Sequence, residues 1–175
     1  MKLSGFIGLA QMEMRKKTME RFRRESRIDA PADVVFRWHE APDAFEKLTP
    51  PWENVRIVER TAPGIKNGTK ITLEMRLGPF KRNWIAVHSA YEPGRMFRDE
   101  QVSGPFRSWV HTHSFDPKGP DACILTDDIC YELPLGLLGR LAGGWLVRRK
   151  LERLFSYRHD VTKESCERQA GRPLQ

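Results

Sequence analysis

The sequence predicts an α+β fold in which a seven-stranded antiparallel curved sheet wraps around one long C-terminal helix. Seven runs alternate between apolar and polar residues, the period of a half-buried strand, and turn residues separate them. From Leu137 onward the spacing of apolar residues becomes helical. An antiparallel sheet must cover its apolar face, and the terminal helix is the only predicted element long enough to do so.

The first predicted elements are one strand and two short helices. The strand begins near Arg21, places Phe22 and Ile28 on one face, and ends at Pro31. The stretch PADVVFRWHE follows as a short helix with its proline near the first turn. A second short helix, PDAFEKL, begins at Pro42 and ends before the prolines that follow.

Six further strands and the terminal helix complete the predicted order of elements. Turn pairs such as Pro93-Gly94 and Gly104-Pro105 punctuate the strands at the spacing of hairpins. The predicted strands are residues 54–60, 69–77, 80–91, 95–102, 107–115 and 123–133. One side of the helix is expected to face the sheet and carries Leu141, Gly144, Val147, Leu151, Leu154, Phe155 and Arg158.

Length and composition favour one domain. With 175 residues and 39% hydrophobic content, the chain suits a single core, which we expect to span residues 19–165. We expect residues 1–18 to be a disordered leader and residues 166–175 a frayed tail. The three cysteines form no CxxC pair, which favours a reducing compartment, so we predict a cytoplasmic protein. No run of residues approaches the roughly 20 apolar residues of a membrane span.

The predicted hairpins determine which side chains share the concave face. Folding at Gly78-Pro79 sets Leu73 opposite Trp84. Folding at Gly104-Pro105 sets Asp99 opposite His111, and a turn centred on Gly119 sets Asp127 opposite the same histidine. A slip of two residues would change these partners but not the face to which they belong.

The concave face therefore combines apolar residues with histidines and aspartates. Each unpaired buried polar group costs roughly 1–3 kcal/mol, so these groups must pair with one another, with water or with a ligand. We predict a mostly apolar cavity with a polar centre at His111, between Asp99 and Asp127. The predicted ligand-binding residues are Trp84, His88, Phe97, Gln101, Trp109, His111, His113, Leu125, Ile129, Tyr131, Leu151 and Phe155.

The stretches IDAPADVVFRWH, YEPGRMFRDEQ and YELPLGLLGRL resemble the START and polyketide-cyclase superfamily, also called SRPBCC. The resemblance covers residues 20–162 and implies the helix-grip fold. WHEAPDAFEKLTPPWE and WVHTHSF look like a small bacterial branch, found alone or fused to epimerase-like enzymes, which implies a functional link to such an enzyme. The superfamily shares no catalytic residues, so the resemblance identifies none here.

Binding of a hydrophobic or amphipathic small molecule is the leading functional prediction. The first alternative is an aromatase/cyclase- or dehydratase-like enzyme that uses His111 with Asp99 or Asp127 as acid and base. A structural histidine held by an aspartate is the competing interpretation of the same residues.

The second alternative is a basic module for membranes or nucleic acid, because the formal charge is 30 − 23 = +7. We expect no nucleic acid partner and no integral membrane association. Histidines two apart on a strand share a side, but no third ligand stands at a diagnostic spacing. We therefore assign no metal site and no cofactor.

Overall fold

The computed structural model describes residues 19–77 and 79–171, and the predicted leader lies outside the described residues. Seven strands form one antiparallel sheet in the order β1-β7-β6-β5-β4-β3-β2. The elements are β1 (Glu20–Ile28), α1 (Ala32–Glu40), α2 (Ala44–Leu48), β2 (Val55–Arg60), β3 (Lys70–Leu77), β4 (Phe80–Glu92), β5 (Met96–Ser103), β6 (Ser108–Pro117), β7 (Cys123–Glu132) and α3 (Gly136–Gln169). The predicted fold class is confirmed.

The turn between β4 and β5 shows how local sequence sets a hairpin. The Arg95 amide donates a hydrogen bond to the Glu92 carbonyl across Pro93 and Gly94. Gly94 has φ 73°, a left-handed conformation that a turn of this kind requires at its third residue. The proline ring fixes φ at the second residue of the turn and glycine permits a positive φ at the third, so the Pro-Gly pair specifies the turn.

Strand register agrees with the sequence at two hairpins and differs at one. Leu73 pairs with Trp84, and Asp99 pairs with His111, as predicted. In the β6–β7 hairpin, however, His113 rather than His111 lies opposite Asp127. The Lys118 amide bonds to the Ala122 carbonyl, so the loop is centred one residue later than Gly119 and the register shifts by two. The shift leaves every side chain on its predicted face.

Two apolar groups pack the concave face against the helices. Phe36 of α1 contacts Phe115 edge-on, with ring centroids 5.3 Å apart, and Val35 beside it is fully buried. Phe155 of α3 packs against Phe22 of β1, with ring centroids 5.5 Å apart. These groups form the core at the two ends of the concave face, and polar side chains such as His111 and His113 lie between them.

Helix α3 differs from the prediction at both ends. It continues to Gln169 with Cys166 and Glu167 buried, so residues 166–169 are helical and not frayed. Residues 172–175 lie outside the described residues. Near its N-terminus, Leu141 and Trp145 are 75% and 71% exposed, so this part of the predicted inner side does not contact the sheet.

Contacts with β1 show which part of the helix is exposed. Helix α3 runs alongside β1, with Phe155 beside Phe22 and His159 bonded to Ser26. Near the start of the helix, Arg140 Nε lies 3.3 Å from a carboxylate oxygen of Glu20 at the start of β1. The large apolar side chains around Arg140 nevertheless face solvent rather than the sheet. None of the helices within the described residues is long and apolar enough to cross a membrane.

Candidate functional site

Four buried histidines and two aspartates form a connected cluster on the concave face. His111 and His113 are two apart on β6 and therefore point to the same side. Asp99 of β5 lies opposite His111, and Asp127 of β7 lies opposite His113. His88 from β4 and His159 from α3 complete what we call the His/Asp cluster.

Asp127 holds three imidazole rings. One of its oxygens, Oδ1, lies 2.7 Å from His111 Nε2 and 2.7 Å from His113 Nδ1. Its other oxygen, Oδ2, lies 2.8 Å from His159 Nε2. His159 Nδ1 is in turn 2.8 Å from the Ser26 hydroxyl, which ties β1 to the cluster. The carboxylate therefore links β6, β7 and α3.

Asp99 joins the cluster from the other side. Its Oδ2 lies 3.1 Å from His113 Nε2 and 3.9 Å from His111 Nδ1. Its Oδ1 lies 2.6 Å from His88 Nδ1. His113, not His111, is therefore the ring that bridges the two aspartates.

The two central histidines titrate in opposite directions. Burial opposes charge on His113, but both aspartates outweigh it and raise its pKa to about 9. Burial and the charge of His113 together lower the pKa of His111, although Asp127 acts the other way. At neutral pH the cluster therefore contains a charged His113 beside a neutral His111, with ring centroids 3.8 Å apart.

The aspartates stay ionised although they are buried. Burial raises the pKa of Asp99, but hydrogen bonds with His113 and His88 outweigh it and hold the pKa well below its usual range. Burial also opposes charge on Asp127, and the charge of His113 with hydrogen bonds from three rings lowers its pKa strongly. Because an ionised carboxylate only accepts hydrogen bonds, His111 carries its proton on Nε2 and keeps a lone pair on Nδ1.

A cavity of about 480 Å³ adjoins the cluster between the sheet, α3 and the two short helices. His111, His113, His88 and Asp99 form part of its wall, while Asp127 lies behind them. The remaining wall is mostly apolar. It includes Phe45, Leu48, Val55, Ile57, Ile71, Leu73, Ala86, Phe106, Leu133, Val147 and Leu154.

Eight of the twelve predicted ligand-binding residues line this cavity. They are Trp84, His88, Phe97, Trp109, His111, His113, Leu151 and Phe155. Leu125, Ile129 and Tyr131 share the concave face but do not line the cavity, because they are almost completely buried in the core. Gln101 also lies outside the cavity wall, and its amide donates to the Phe106 carbonyl.

The structure adds two histidines to the cluster and the cavity wall that the sequence prediction omitted. His159 completes the cluster, and its signal was its place in the buried series Leu151, Phe155, His159, Thr162 and Cys166, spaced by three or four residues. His39 also lines the cavity, and burial lowers its pKa to about 4.

Arg158 and Trp84 offer further polar groups in the cavity wall. Arg158 donates from Nε to the Leu48 carbonyl, and burial lowers the pKa of its guanidinium. Within the described residues no carboxylate lies within ion-pair distance of it, and no acceptor is bonded to the buried Trp84 Nε1. Both groups could donate hydrogen bonds to a ligand.

The His/Asp cluster also contains donors suited to a divalent cation. One donor atom each from Asp99, His111 and His113 lie within 4.8 Å of one another. Two imidazoles and a carboxylate are competent ligands for zinc or iron. His113, however, is charged at neutral pH, donates a hydrogen bond to Asp99 and forms an ion pair with Asp127, so a cation would first have to displace its proton.

Comparison with known proteins agrees with this architecture. The family described as polyketide cyclase/dehydrase and lipid transport matches residues 28–155. The comparison with curated proteins found no match.

Among solved structures, the Zhui aromatase/cyclase from Streptomyces sp. R1128 is 14% identical with a TM-score of 0.68, over 87% of this chain and 96% of that one. Norcoclaurine synthase from Thalictrum flavum, as a point mutant with a transition-state analogue, gives the same identity, TM-score and coverage. A START superfamily protein from Mycobacterium smegmatis is 15% identical with a TM-score of 0.63, over 85% of this chain and 98% of that one.

At such low identity these structures support the helix-grip fold alone. The family match covers most of the chain and includes the strands that carry the histidines. The chain therefore belongs to the polyketide cyclase/dehydrase and lipid transport family.

Proposed function

We propose that the protein binds an amphipathic small molecule in the cavity, with the apolar part of the molecule against β2–β4 and its polar group at the His/Asp cluster. The observation that carries the proposal is the combination of an apolar cavity of about 480 Å³ with a buried polar end. Such cavities take small ligands, because apolar walls supply affinity and a few placed polar groups fix orientation.

The polar end favours a ligand that can exchange hydrogen bonds. His111 Nδ1 accepts, whereas Arg158 and Trp84 Nε1 donate. The charges of Asp99 and Asp127 are balanced by those of His113 and Arg158, so a neutral carbonyl or hydroxyl group suits this end better than a strongly charged one. The three free cysteines support the proposed cytoplasmic location, and the link to an epimerase-like enzyme stays a prediction.

Substitution of Ala86 tests the cavity. Ala86 lies in the cavity wall, and a phenylalanine there occupies space that a ligand would need. We expect Ala86→Phe to weaken binding of the apolar dye Nile red about tenfold or more. Val87→Phe is the matched control, because the neighbouring residue on β4 faces away from the cavity. Equal dye affinity in both variants, with both folded, would exclude the cavity as the binding site.

Acid–base catalysis is the second candidate function, favoured by a neutral His111 beside a charged His113 at the cavity wall. His111 Nδ1 can accept a proton from the carbon next to a ligand carbonyl, which leaves an enolate whose oxygen accepts hydrogen bonds from Arg158 or Trp84 Nε1. Reversal returns the proton from His111 to the carbon.

Deuterium exchange tests this candidate. In heavy water, the protein is expected to accelerate exchange of the α-protons of an aryl methyl ketone, followed by proton NMR. His111→Gln should abolish the acceleration yet leave Nile red affinity within about twofold, because the ring acts in the chemistry rather than in apolar contact. If exchange were as slow with the wild type as with His111→Gln, the cluster would have no acid–base role toward such ketones.

A further inference from the structure

We propose that the N-terminal end of α3 docks on the surface of an anionic membrane. We call residues 135–146 the α3 overhang, because their large apolar side chains face solvent rather than the sheet. Its large apolar side chains are between half and four-fifths exposed, at 53–81%. They are Leu135, Leu137, Leu138, Leu141, Trp145 and Leu146. A contiguous exposed patch of this kind marks an interaction site rather than ordinary surface.

The overhang presents an apolar face of the kind that lies on a bilayer. Leu138, Leu141 and Trp145 follow one another at intervals of three and four residues and therefore share one face. Tryptophan and leucine on one face, with arginines next to it, are typical of helices at the membrane interface.

Basic side chains surround the apolar face. The stretch from residue 140 to 153 has Arg140, Arg148, Arg149, Lys150 and Arg153 against the single acid Glu152, so 5 − 1 = +4. The Arg149 guanidinium lies 5.7 Å from the centre of the Trp145 ring, and that of Arg153 lies 4.2 Å from the centre of the Trp52 ring.

Two of these arginines are not neutralised by a carboxylate. Arg140 pairs with Glu20, Arg148 with Glu152 and Lys150 with Glu53, but within the described part of the chain Arg149 and Arg153 form no ion pair. Guanidinium groups bind phosphate oxygens strongly, often through two parallel hydrogen bonds. A surface rich in anionic phospholipid therefore complements the charge beside the overhang.

The position of the overhang links it to the cavity. Pro134 and Val147, which flank it in sequence, both line the cavity wall, as do Leu133 and Leu151. A membrane against the overhang would thus lie next to one end of the cavity. An apolar ligand could pass between bilayer and cavity with little exposure to water, although the docking itself does not depend on an occupied cavity.

A second copy of the chain fits this face less well than a membrane. A two-fold contact would place the same patch on both partners, so the arginines beside one overhang would face those of the other. Like charges brought together in this way repel, whereas anionic lipid attracts them.

Vesicle sedimentation tests the proposal with the full chain. The wild type is expected to sediment with vesicles of phosphatidylcholine and phosphatidylglycerol, less with phosphatidylcholine alone, and less as salt is added. Leu138→Glu combined with Leu141→Glu should weaken binding to the anionic vesicles about tenfold or more, since two charges replace buried apolar contacts.

The control is Val58→Glu, which puts a new charge on a half-exposed valine of β2, at the opposite edge of the sheet from β1. This variant should bind vesicles like the wild type. Both variants should bind Nile red normally in the absence of vesicles, so a failure of membrane docking can be told apart from a failure of the cavity proposal. Wild-type protein that stays in the supernatant, or an overhang variant that binds like Val58→Glu, would overturn the proposal.

Other occupants of the face would give different results. A dimer in gel filtration that the overhang variant converts to a monomer would assign the face to a second copy. Shielding of Trp145 from acrylamide without vesicles, measured against Trp145→Phe, would assign it to another part of the chain. Either result would also overturn membrane docking.

Discussion

Asp127→Ala is expected to lower the free energy of unfolding by about 3–5 kcal/mol, because breaking a buried ion pair leaves an uncompensated charge. Asp127 accepts hydrogen bonds from His111 and His159 and forms an ion pair with His113, and its side chain is only 5% exposed. Without it, three buried rings lose their shared partner, and His113 loses one of the two charges that raise its pKa. Urea denaturation followed by tryptophan fluorescence measures the loss.

The neighbouring Asp128 provides the matched control. It lies on the opposite face of β7, where it pairs with Arg21, and the arginine side chain is 60% exposed. Asp128→Ala should cost less than about 1 kcal/mol, the usual value of an exposed ion pair. Similar losses in the two variants would mean that the His/Asp cluster does not hold the fold.

Alkaline loss of stability is the second expected result. The pKa of His113 is about 9 in the folded chain, against an ordinary value of 6.5. Below pH 6.5 both the folded and the unfolded chain carry the proton on His113, so its interactions with the two aspartates contribute fully to stability. Between these values the unfolded chain releases its proton first, and stability falls as pH rises, in total by on the order of 3 kcal/mol.

The acidic side of the profile has other causes. The pKa of His39 is lowered to about 4 in the folded chain, and that of His111 is also lowered. As pH falls below the ordinary value of 6.5, the unfolded chain therefore takes up these protons first and the free energy of unfolding decreases. The depressed aspartate pKa values add a further loss below their ordinary value of 3.8. The stability maximum is therefore expected close to pH 6.5.

Two measurements check this profile. Unfolding by urea across the pH range should show the alkaline decline in the wild type and in His39→Gln, because His39 is neutral on that side of the maximum. Proton NMR should show one histidine ring that titrates above pH 8. A profile that is flat from pH 6.5 to pH 9, or histidines that all titrate near their ordinary pKa, would contradict the assignment of charge to His113.

Much of the fold was predictable because strand alternation and turn residues are local signals. The order of elements follows from them, and so does the face to which His111, His113 and Asp99 belong. A register slip of two residues leaves each side chain on the same face of the sheet. The shared face of the histidines and aspartates could therefore be predicted, although Asp127 lies opposite His113 rather than His111.

The rest depends on how elements pack, which local patterns do not encode. Leu125, Ile129 and Tyr131 have the same parity as the cavity residues, but their distance from the cavity is set by the placement of α3 on the sheet. His159 enters the cluster through the same placement. The apolar spacing of Leu141 and Trp145 looks like that of a core helix, and the placement of α3 on the sheet leaves them exposed.

The dual role of the His/Asp cluster has a consequence for how this protein could diverge. Because the His/Asp cluster both ties strands to the helix and forms the polar end of the cavity, substitutions within it would destabilise the fold as well as alter ligand recognition. Leu73, Ala86 and Val55 line the cavity but do not take part in the His/Asp cluster. Relatives with altered ligand preference are therefore expected to vary at these wall positions while they retain the imidazoles, so a single scaffold could accommodate many cargo shapes.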